Sequence, residues 1–257
     1  MIGASEVEEW ARRFGVSPAQ ISRDHFISHV LRALGELHPD VRFFGGTALC
    51  RTYLDPSRIS EDIDLLHPCP RELLTTLREK LPKAIRREFP NAVWSDVFSE
   101  GDGLACMLRP PDLDAIKVYA GRDGPDTAAW EFIPTRVRLR YGDLPQDQVL
   151  ECPTAPTFAA MKLAAWSDRR APRDLFDLAG LAALGTLEDP DVHRIFQAKM
   201  GVEIIMSDFS RVPRHTASAW HTELAAQVGE LPSVEDCLDQ VRAALATTSP
   251  RGLADPH

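Results

Sequence analysis

The feature that most constrains the fold is a strand that breaks at two adjacent glycines and is followed by a second strand with alternating aspartates. Residues 41–44 predict the first strand, and a short helix is expected to begin at Thr47 and to run to about Leu54. In the second strand, predicted at 59–66, apolar and acidic residues alternate, so its two aspartates share one face. This order predicts a mixed α/β unit.

The acidic pair, Asp62 and Asp64, is a candidate metal site. Alternate side chains on a strand stand side by side about 7 Å apart, and two carboxylates that close repel one another unless a cation lies between them. Magnesium prefers a few carboxylates together with substrate phosphates. For such a pair alone, the structural alternative is an edge strand with a solvated acidic face.

The glycine turn makes the functional interpretation more specific. Gly45 and Gly46 allow the backbone to approach a ligand closely, and the start of the following helix presents N–H groups to an anion. The Thr47 hydroxyl is a further donor to a phosphate oxygen. Arg58 and Ser60 precede the acidic pair and are also candidates for nucleotide contact. The layout suits nucleotidyl transfer, in which metal ions stabilise the attacking and leaving oxygens.

The segment FFGGTALCRTYLDPSRISEDIDLL, residues 43–66, resembles the signature of the DNA polymerase β-like nucleotidyltransferase superfamily. More narrowly, it is similar to the AbiEii/AbiGii toxin family, which includes the mycobacterial MenT toxins. A second block matches in order, at 157–165 and, after Arg169, at 173–178. The resemblance covers roughly residues 20–185 and leaves the last seventy residues without a recognised motif.

The resemblance implies roles for residues of both blocks. In the first block, it implies that Asp62 and Asp64 bind Mg²⁺ and that phosphates are bound by Gly45, Gly46 and Thr47. In the second block, it implies that Lys162 contacts the nucleotide phosphates and that Asp174 or Asp177 completes the site.

The residues of the second block also allow structural interpretations. Arg169 shares a helical stripe with Lys162 and is a candidate for nucleotide contact. Pro172 is expected to start a new helix, so Asp174 falls in a first turn, where the helix dipole favours negative charge. Asp174 is then a helix-start carboxylate paired with Arg173 or Arg169, and the same alternative applies to Asp177. Lys162 has the alternative of a surface lysine that buries only its stem.

A third carboxylate, which many enzymes of the superfamily place on a neighbouring strand, is missing from the expected strand at 115–119. Asp112 and Asp114 immediately precede that strand and are candidates. Otherwise the deprotonation of the nucleophile falls to Asp174 or Asp177, or the chain binds nucleotide without transferring it.

The overall prediction is a bilobed α/β (α+β) protein. Residues 1–150 are expected to form a nucleotidyltransferase-like mixed sheet with helices, with strands also at 93–98, 104–108, 115–119 and 132–140. Residues 151–257 are expected to form a helical bundle, with helices near 155–170, 173–185, 190–200 and 216–245.

The expected activity is the Mg²⁺-dependent transfer of a nucleoside monophosphate from a nucleoside triphosphate to an acceptor hydroxyl. The resemblance implies that the acceptor is the 3′ end of tRNA and that the protein is a toxin with a cognate antitoxin. The net charge of −9 agrees better with a small-molecule or protein acceptor, because proteins bind phosphate backbones mainly through Lys and Arg. The other alternative is a nucleotide-binding module without catalysis.

The compartment is expected to be the cytoplasm. The five cysteines match no zinc pattern and are interpreted as reduced thiols. The charged N-terminal segment does not resemble a signal peptide, and no apolar run approaches the length of a membrane span, so no membrane partner is expected.

Overall fold

The structure is a computed structural model that describes residues 2–38 and 40–248. The chain divides into two compact units, Met1–Thr154 with Ala225–Glu230, and Ala155–Leu224 with Leu231–His257. The short segment 225–230 therefore belongs to the first unit, although the chain on either side of it belongs to the second. The division into domains at 1–150 and 151–257 stays a prediction.

The first unit is built on one mixed sheet of eight strands within the described residues. The order is β3-β5-β6-β2-β1-β8-β7, with β4 paired to β5. The pairs β1/β8 and β2/β6 are parallel and the others are antiparallel, which confirms the predicted mixed α/β class. The strands are β1 (Arg42–Phe44), β2 (Asp62–His67), β3 (Val93–Trp94), β4 (Phe98–Glu100), β5 (Gly103–Arg109), β6 (Ile116–Arg122), β7 (Phe132–Arg138) and β8 (Asp147–Pro153).

The first unit also contains four α-helices among the described residues. They are α1 (Ala4–Phe14), α2 (Pro18–Leu37), α3 (Gly45–Arg51) and α4 (Pro70–Ile85). Helix α2 begins as its sequence predicts, because Pro18 occupies the first turn and the Ser17 side chain accepts a hydrogen bond from the Gln20 amide at 3.3 Å. Apolar side chains of α2 such as Phe26 and Val30 are fully buried.

A buried charge network joins α2, α3 and the chain after β7. Arg51, the last residue of α3, donates to Asp24 Oδ1 at 2.8 Å, and Arg140 lies 3.2 Å from Asp24 Oδ2. Tyr141 donates its hydroxyl to the same carboxylate at 2.7 Å. Burial alone would raise the pKa of Asp24, but the two guanidinium groups lower it below its usual range. The network fixes the far end of the helix that begins at the two glycines.

The second unit is helical in the described residues. Its helices are α5 (Ala155–Arg169), α6 (Pro172–Ala183), α7 (Pro190–Met200), α8 (Arg214–Leu224) and α9 (Val234–Thr248). Trp166 of α5 is fully buried and stacks on Phe209, with 6.2 Å between the ring centroids. Pro172 starts α6, as predicted. None of the described helices combines the length and the apolar character needed to cross a membrane.

Two sequence predictions about individual elements are wrong. The helix expected at 216–245 is interrupted between Leu224 and Val234, because residues 225–230 leave the helical unit and contact the first one. In that segment, the Gln227 carbonyl accepts from the Ile59 amide at 3.0 Å. Strand β8 was not predicted, because its charged and amide residues hide the alternation expected of a strand.

Candidate active site

The acidic pair lies on β2, which pairs with β1 on one side and with β6 on the other. Ile63 and Leu65 are fully buried, so the alternating Asp62 and Asp64 face the opposite side of the strand and are half-buried. The edge-strand alternative is therefore wrong, since the strand has neighbours on both sides. This position places two carboxylates side by side on a rigid element.

The glycine turn contacts the acidic pair directly. Strand β1 runs straight into α3 at Gly45, whose φ is +77°. A Cβ atom at Gly45 would lie 2.0 Å from Asp64 Oδ2, and one at Gly46 would lie 2.8 Å from Arg58 Nη2. The two glycines leave room for the carboxylate and for the guanidinium group. The sequence-predicted Gly45, Gly46, Arg58 and Asp64 are therefore neighbours in space.

Two hydroxyl groups lie behind this turn. Thr47 is buried, and its hydroxyl hydrogen-bonds to the backbone carbonyl of Asp62 and lies 2.9 Å from Ser60 Oγ. Ser60 is also buried. Both residues thus join the start of α3 to the chain that leads into β2. Their contacts position the acidic strand against the glycine turn.

Arg58 is almost fully buried and is held by the returning segment of the chain. Its Nη1 donates to Gln227 Oε1 at 2.9 Å and to the Ile59 carbonyl at 3.3 Å. Gln227 was not a sequence candidate, because 169 positions separate it from Arg58. No local pattern signals such a contact.

Lys117 is a second residue of this site that was not a sequence candidate. It lies opposite Asp62 in the β2/β6 register, with Nζ 3.9 Å from Asp62 Oδ2 and 2.6 Å from Glu100 Oε1. Burial alone would lower the pKa of Lys117, but the hydrogen bond with Glu100 and the charge of Asp62 raise it. The signal was visible, because Lys117 is the charged residue of the strand expected at 115–119, beside the acidic one.

Tyr119 lies opposite Asp64 in the same register. Its hydroxyl donates to Asp102 at 2.7 Å, and its ring lies 6.5 Å from that of Phe44. Burial and the bond to Asp102 raise the pKa of Tyr119 well above its usual range, so the phenol stays protonated.

The two aspartates considered for a third carboxylate belong to the lining of a cavity in the first unit. Asp112 and Asp114 line a cavity of about 660 Å³ together with Gln20 and Arg23, and the acidic pair of β2 is not part of its lining. The acidic residue that approaches the pair is Glu100, which reaches it through Lys117.

The candidate residues of the second unit form one buried ion cluster. Lys162 Nζ lies 3.1 Å from Asp174 Oδ1 and 2.7 Å from Asp177 Oδ2. Arg169 Nε donates to Asp174 Oδ2 at 2.7 Å, and its Nη2 lies 3.0 Å from Oδ1. Burial alone would raise the pKa of Asp174, but Lys162 and Arg169 lower it. Both carboxylates are fully buried. Asp174 is paired with Arg169, as its structural interpretation expected.

The chain matches a known family in sequence and a solved structure in fold. The model of the family described as "Nucleotidyl transferase AbiEii toxin, Type IV TA system" matches residues 29–245. No curated protein matches the sequence.

The solved structures that match this chain include two proteins of the nucleotidyltransferase type. The nucleotidyltransferase toxin MenT4 of Mycobacterium tuberculosis H37Rv superposes with a TM-score of 0.73 at 18% identity, over 97% of this chain and 90% of that chain. An antigenic nucleotidyltransferase-like protein from Paracoccidioides brasiliensis has a TM-score of 0.39 at 16% identity, over 74% of this chain and 98% of that chain. The first similarity establishes a shared fold.

Proposed function

The chain belongs to the AbiEii family of nucleotidyl transferase toxins of type IV toxin–antitoxin systems, and we propose that it moves a nucleoside monophosphate from a nucleoside triphosphate to the hydroxyl at the 3′ end of tRNA. The observation that carries this proposal is the contact between the glycine turn and the acidic strand. The Asp64 carboxylate occupies the space that a side chain at Gly45 would fill.

The acidic pair fits a magnesium ion by its chemistry. Asp62 and Asp64 offer hard oxygen donors from one face of β2, the ligand type that Mg²⁺ takes beside substrate phosphates. When bound, Mg²⁺ would stabilise negative charge on the attacking and leaving oxygens. The protein's own contribution is to hold the carboxylates in place, because β2 is paired on both sides and Thr47 bonds to its backbone.

Binding of the triphosphate is proposed for the residues around the turn. Gly45 and Gly46 let a phosphate approach the backbone, and Thr47 and Ser60 fix the local geometry. Arg58 supplies positive charge behind Gly46, from a guanidinium group that Gln227 holds in place.

The ion cluster of the second unit is proposed to act on the nucleotide phosphates through its cations. Arg169 is half-exposed, so an anion can reach its guanidinium group, while Lys162 is held by two carboxylates. Asp174 and Asp177 would then set the positions of these cations. This role rests on the family resemblance of the second block.

We also propose that the protein acts in the cytoplasm, where tRNA is found, and that a separately encoded antitoxin silences it. The family consists of toxins of type IV toxin–antitoxin systems, which supports an antitoxin partner.

The test is label transfer from each α-labelled nucleoside triphosphate to total tRNA in the presence of Mg²⁺. The inactive variant is Asp62→Asn/Asp64→Asn, and the matched control is Asp96→Asn/Asp236→Asn, which removes two exposed carboxylates. Wild type and control should label tRNA, whereas the site variant should lose at least about 100-fold in rate, as expected for groups that act in the transition state.

Three outcomes distinguish the alternatives. Label that appears in a small molecule or a protein, and not in tRNA, would change the acceptor but keep the chemistry. Nucleotide binding without turnover would support the non-catalytic module. Equal labelling by the site variant and wild type would refute the assignment of Asp62 and Asp64.

A further inference from the structure

Three metal-ligating side chains converge within the first unit, beside the buried Asp24 network. His25 and His29 follow one another by one turn of α2, and Asp143 lies in the chain between β7 and β8. His25 Nε2 lies 3.0 Å from both Asp143 carboxylate oxygens and 3.0 Å from His29 Nε2. His29 Nε2 lies 3.4 Å from Asp143 Oδ2. These ligand atoms all lie within 4.8 Å of one another.

Within this trio, no placement of protons on the two rings gives every close contact both a donor and an acceptor. A neutral imidazole carries one N–H, on either of its ring nitrogens. If His25 Nε2 carries the proton, it can donate to Asp143, but the lone pair of His29 Nε2 then faces the carboxylate. If His29 Nε2 carries the proton instead, the lone pair of His25 Nε2 faces the carboxylate at 3.0 Å. If both carry protons, two donors meet at 3.0 Å.

A cation between the three atoms resolves the conflict, since every lone pair then points at positive charge. Ligand atoms at about 2.0–2.1 Å from a tetrahedral Zn²⁺ are separated from one another by roughly 3.4 Å. The separations of 3.0 to 3.4 Å between the two Nε2 atoms and the Asp143 oxygens are close to this value. We propose that His25, His29 and Asp143 supply three ligands to one divalent transition-metal ion of the zinc type, at a site distinct from the Asp62–Asp64 pair.

The chemistry of the donors selects the class of ion. Imidazole nitrogen suits Zn²⁺ and its first-row neighbours, whereas Mg²⁺ prefers oxygen ligands. Burial lowers the pKa of His29 to about 4, and burial also lowers the pKa of His25 despite the nearby Asp143. Both rings are therefore neutral at pH 7, which is the form that binds a metal without releasing a proton.

Neighbouring aromatic rings hold the two histidine ligands in position. The Phe89 ring centroid lies 5.6 Å from that of His25 and 5.3 Å from that of His29, and the Tyr141 ring lies 5.0 Å from His25. These rings fix the imidazoles in place. A cavity of about 270 Å³, lined by His25 and Phe89 among others, gives an ion a path to the cluster. A bound ion would tie α2 to the chain between β7 and β8, beside the Asp24 network.

The test uses the full-length protein, stripped with a chelator and then dialysed against Zn²⁺ in the presence of excess Mg²⁺, with bound zinc measured by mass spectrometry. We expect one zinc per chain in wild type and in His215→Gln/His221→Gln, which removes two exposed imidazoles. We expect His25→Gln/His29→Gln to lose at least about 100-fold in zinc affinity, since even outer-shell partners contribute about 10–100-fold.

Two further variants make the result decisive. Asp143→Asn changes a side chain that is 20% exposed, so it should fold, and it should weaken zinc binding in the same direction. Asp62→Asn/Asp64→Asn should keep the full zinc content, so the proposed catalytic function can fail without affecting this site. Absence of stoichiometric zinc in wild type would overturn the proposal, as would unchanged zinc affinity in a folded His25→Gln/His29→Gln protein.

Discussion

Gly45→Ala is the perturbation that tests the candidate active site most directly. The new Cβ atom would lie 2.0 Å from Asp64 Oδ2, whereas Cβ atoms essentially never come closer than 3.0 Å to a neighbour, so about 1 Å of displacement is required. The carboxylate sits on a strand paired on both sides, which limits the relief available from the backbone. The displacement must therefore fall on the Asp64 side chain or on the start of α3.

The expected effect of Gly45→Ala has two parts, a loss of stability and a loss of activity. A residue with a side chain in the left-handed region, where Gly45 has φ +77°, costs about 1–2 kcal/mol. The displacement of Asp64 adds a loss of activity, because a misplacement of about 1 Å in a catalytic group can cost about 100-fold in rate. For a domain of this size, each kcal/mol lowers Tm by about 2–4 °C.

Gly101→Ala is the matched control. Gly101 also has positive φ, +57°, but a Cβ atom there would meet nothing within 4 Å. The Gly101→Ala variant therefore has the backbone strain of a side chain at positive φ, but no contact with Asp64. Thermal unfolding and label transfer should separate the two effects, with a similar loss of Tm in both variants and a loss of activity only in Gly45→Ala. If the Gly45→Ala protein transfers label at the wild-type rate, the Asp64 carboxylate does not need the position seen here and the reasoning is refuted.

Three other perturbations test the buried charges and thiols. Lys162→Met should lower the free energy of unfolding in urea by about 3–5 kcal/mol, because it removes the ammonium group that pairs with two buried carboxylates; a change below about 1 kcal/mol would contradict this. Arg51→Met, which removes a partner of the buried Asp24, should destabilise to a similar extent in the same assay. The pKa of Asp174 is lower in the folded protein than in the unfolded chain. Its stabilising effect is therefore present above the unfolded pKa of about 3.9 and is lost as the pH falls through the folded pKa. An acid titration followed by circular dichroism should show unfolding as the pH falls below the folded pKa of Asp174. Cys69 is the one exposed cysteine, and a thiol reagent should modify one thiol quickly and the others only after denaturation.

The sequence was most informative where local patterns determine structure. The break at Gly45, the alternation that places Asp62 and Asp64 on one face, and the helix start at Pro172 were all predicted from neighbouring residues. Each depends on backbone preferences within one or two turns of chain. Together with the family resemblance, these patterns predicted the mixed α/β fold, which the strand pairing confirms.

Contacts between distant parts of the chain could not be predicted in this way. Gln227 reaches Arg58 because a six-residue segment returns to the first unit, and nothing in its composition distinguishes it from a loop. His25, His29 and Asp143 come together only because β8 brings residue 143 back beside α2. The HxxxH spacing on a helix is visible in the sequence, but the third ligand depends on the sheet order.

Lys117 changes how the missing third carboxylate is understood. The strand beside Asp62 carries an ammonium group where a carboxylate was expected, and Glu100 holds that group at 2.6 Å. Because Glu100 balances the charge of Lys117, the Asp62–Asp64 pair keeps two negative charges, which match one divalent ion. If Asp62 binds Mg²⁺ as proposed, Glu100 therefore supports metal binding indirectly, by drawing a competing cation away from the ligand.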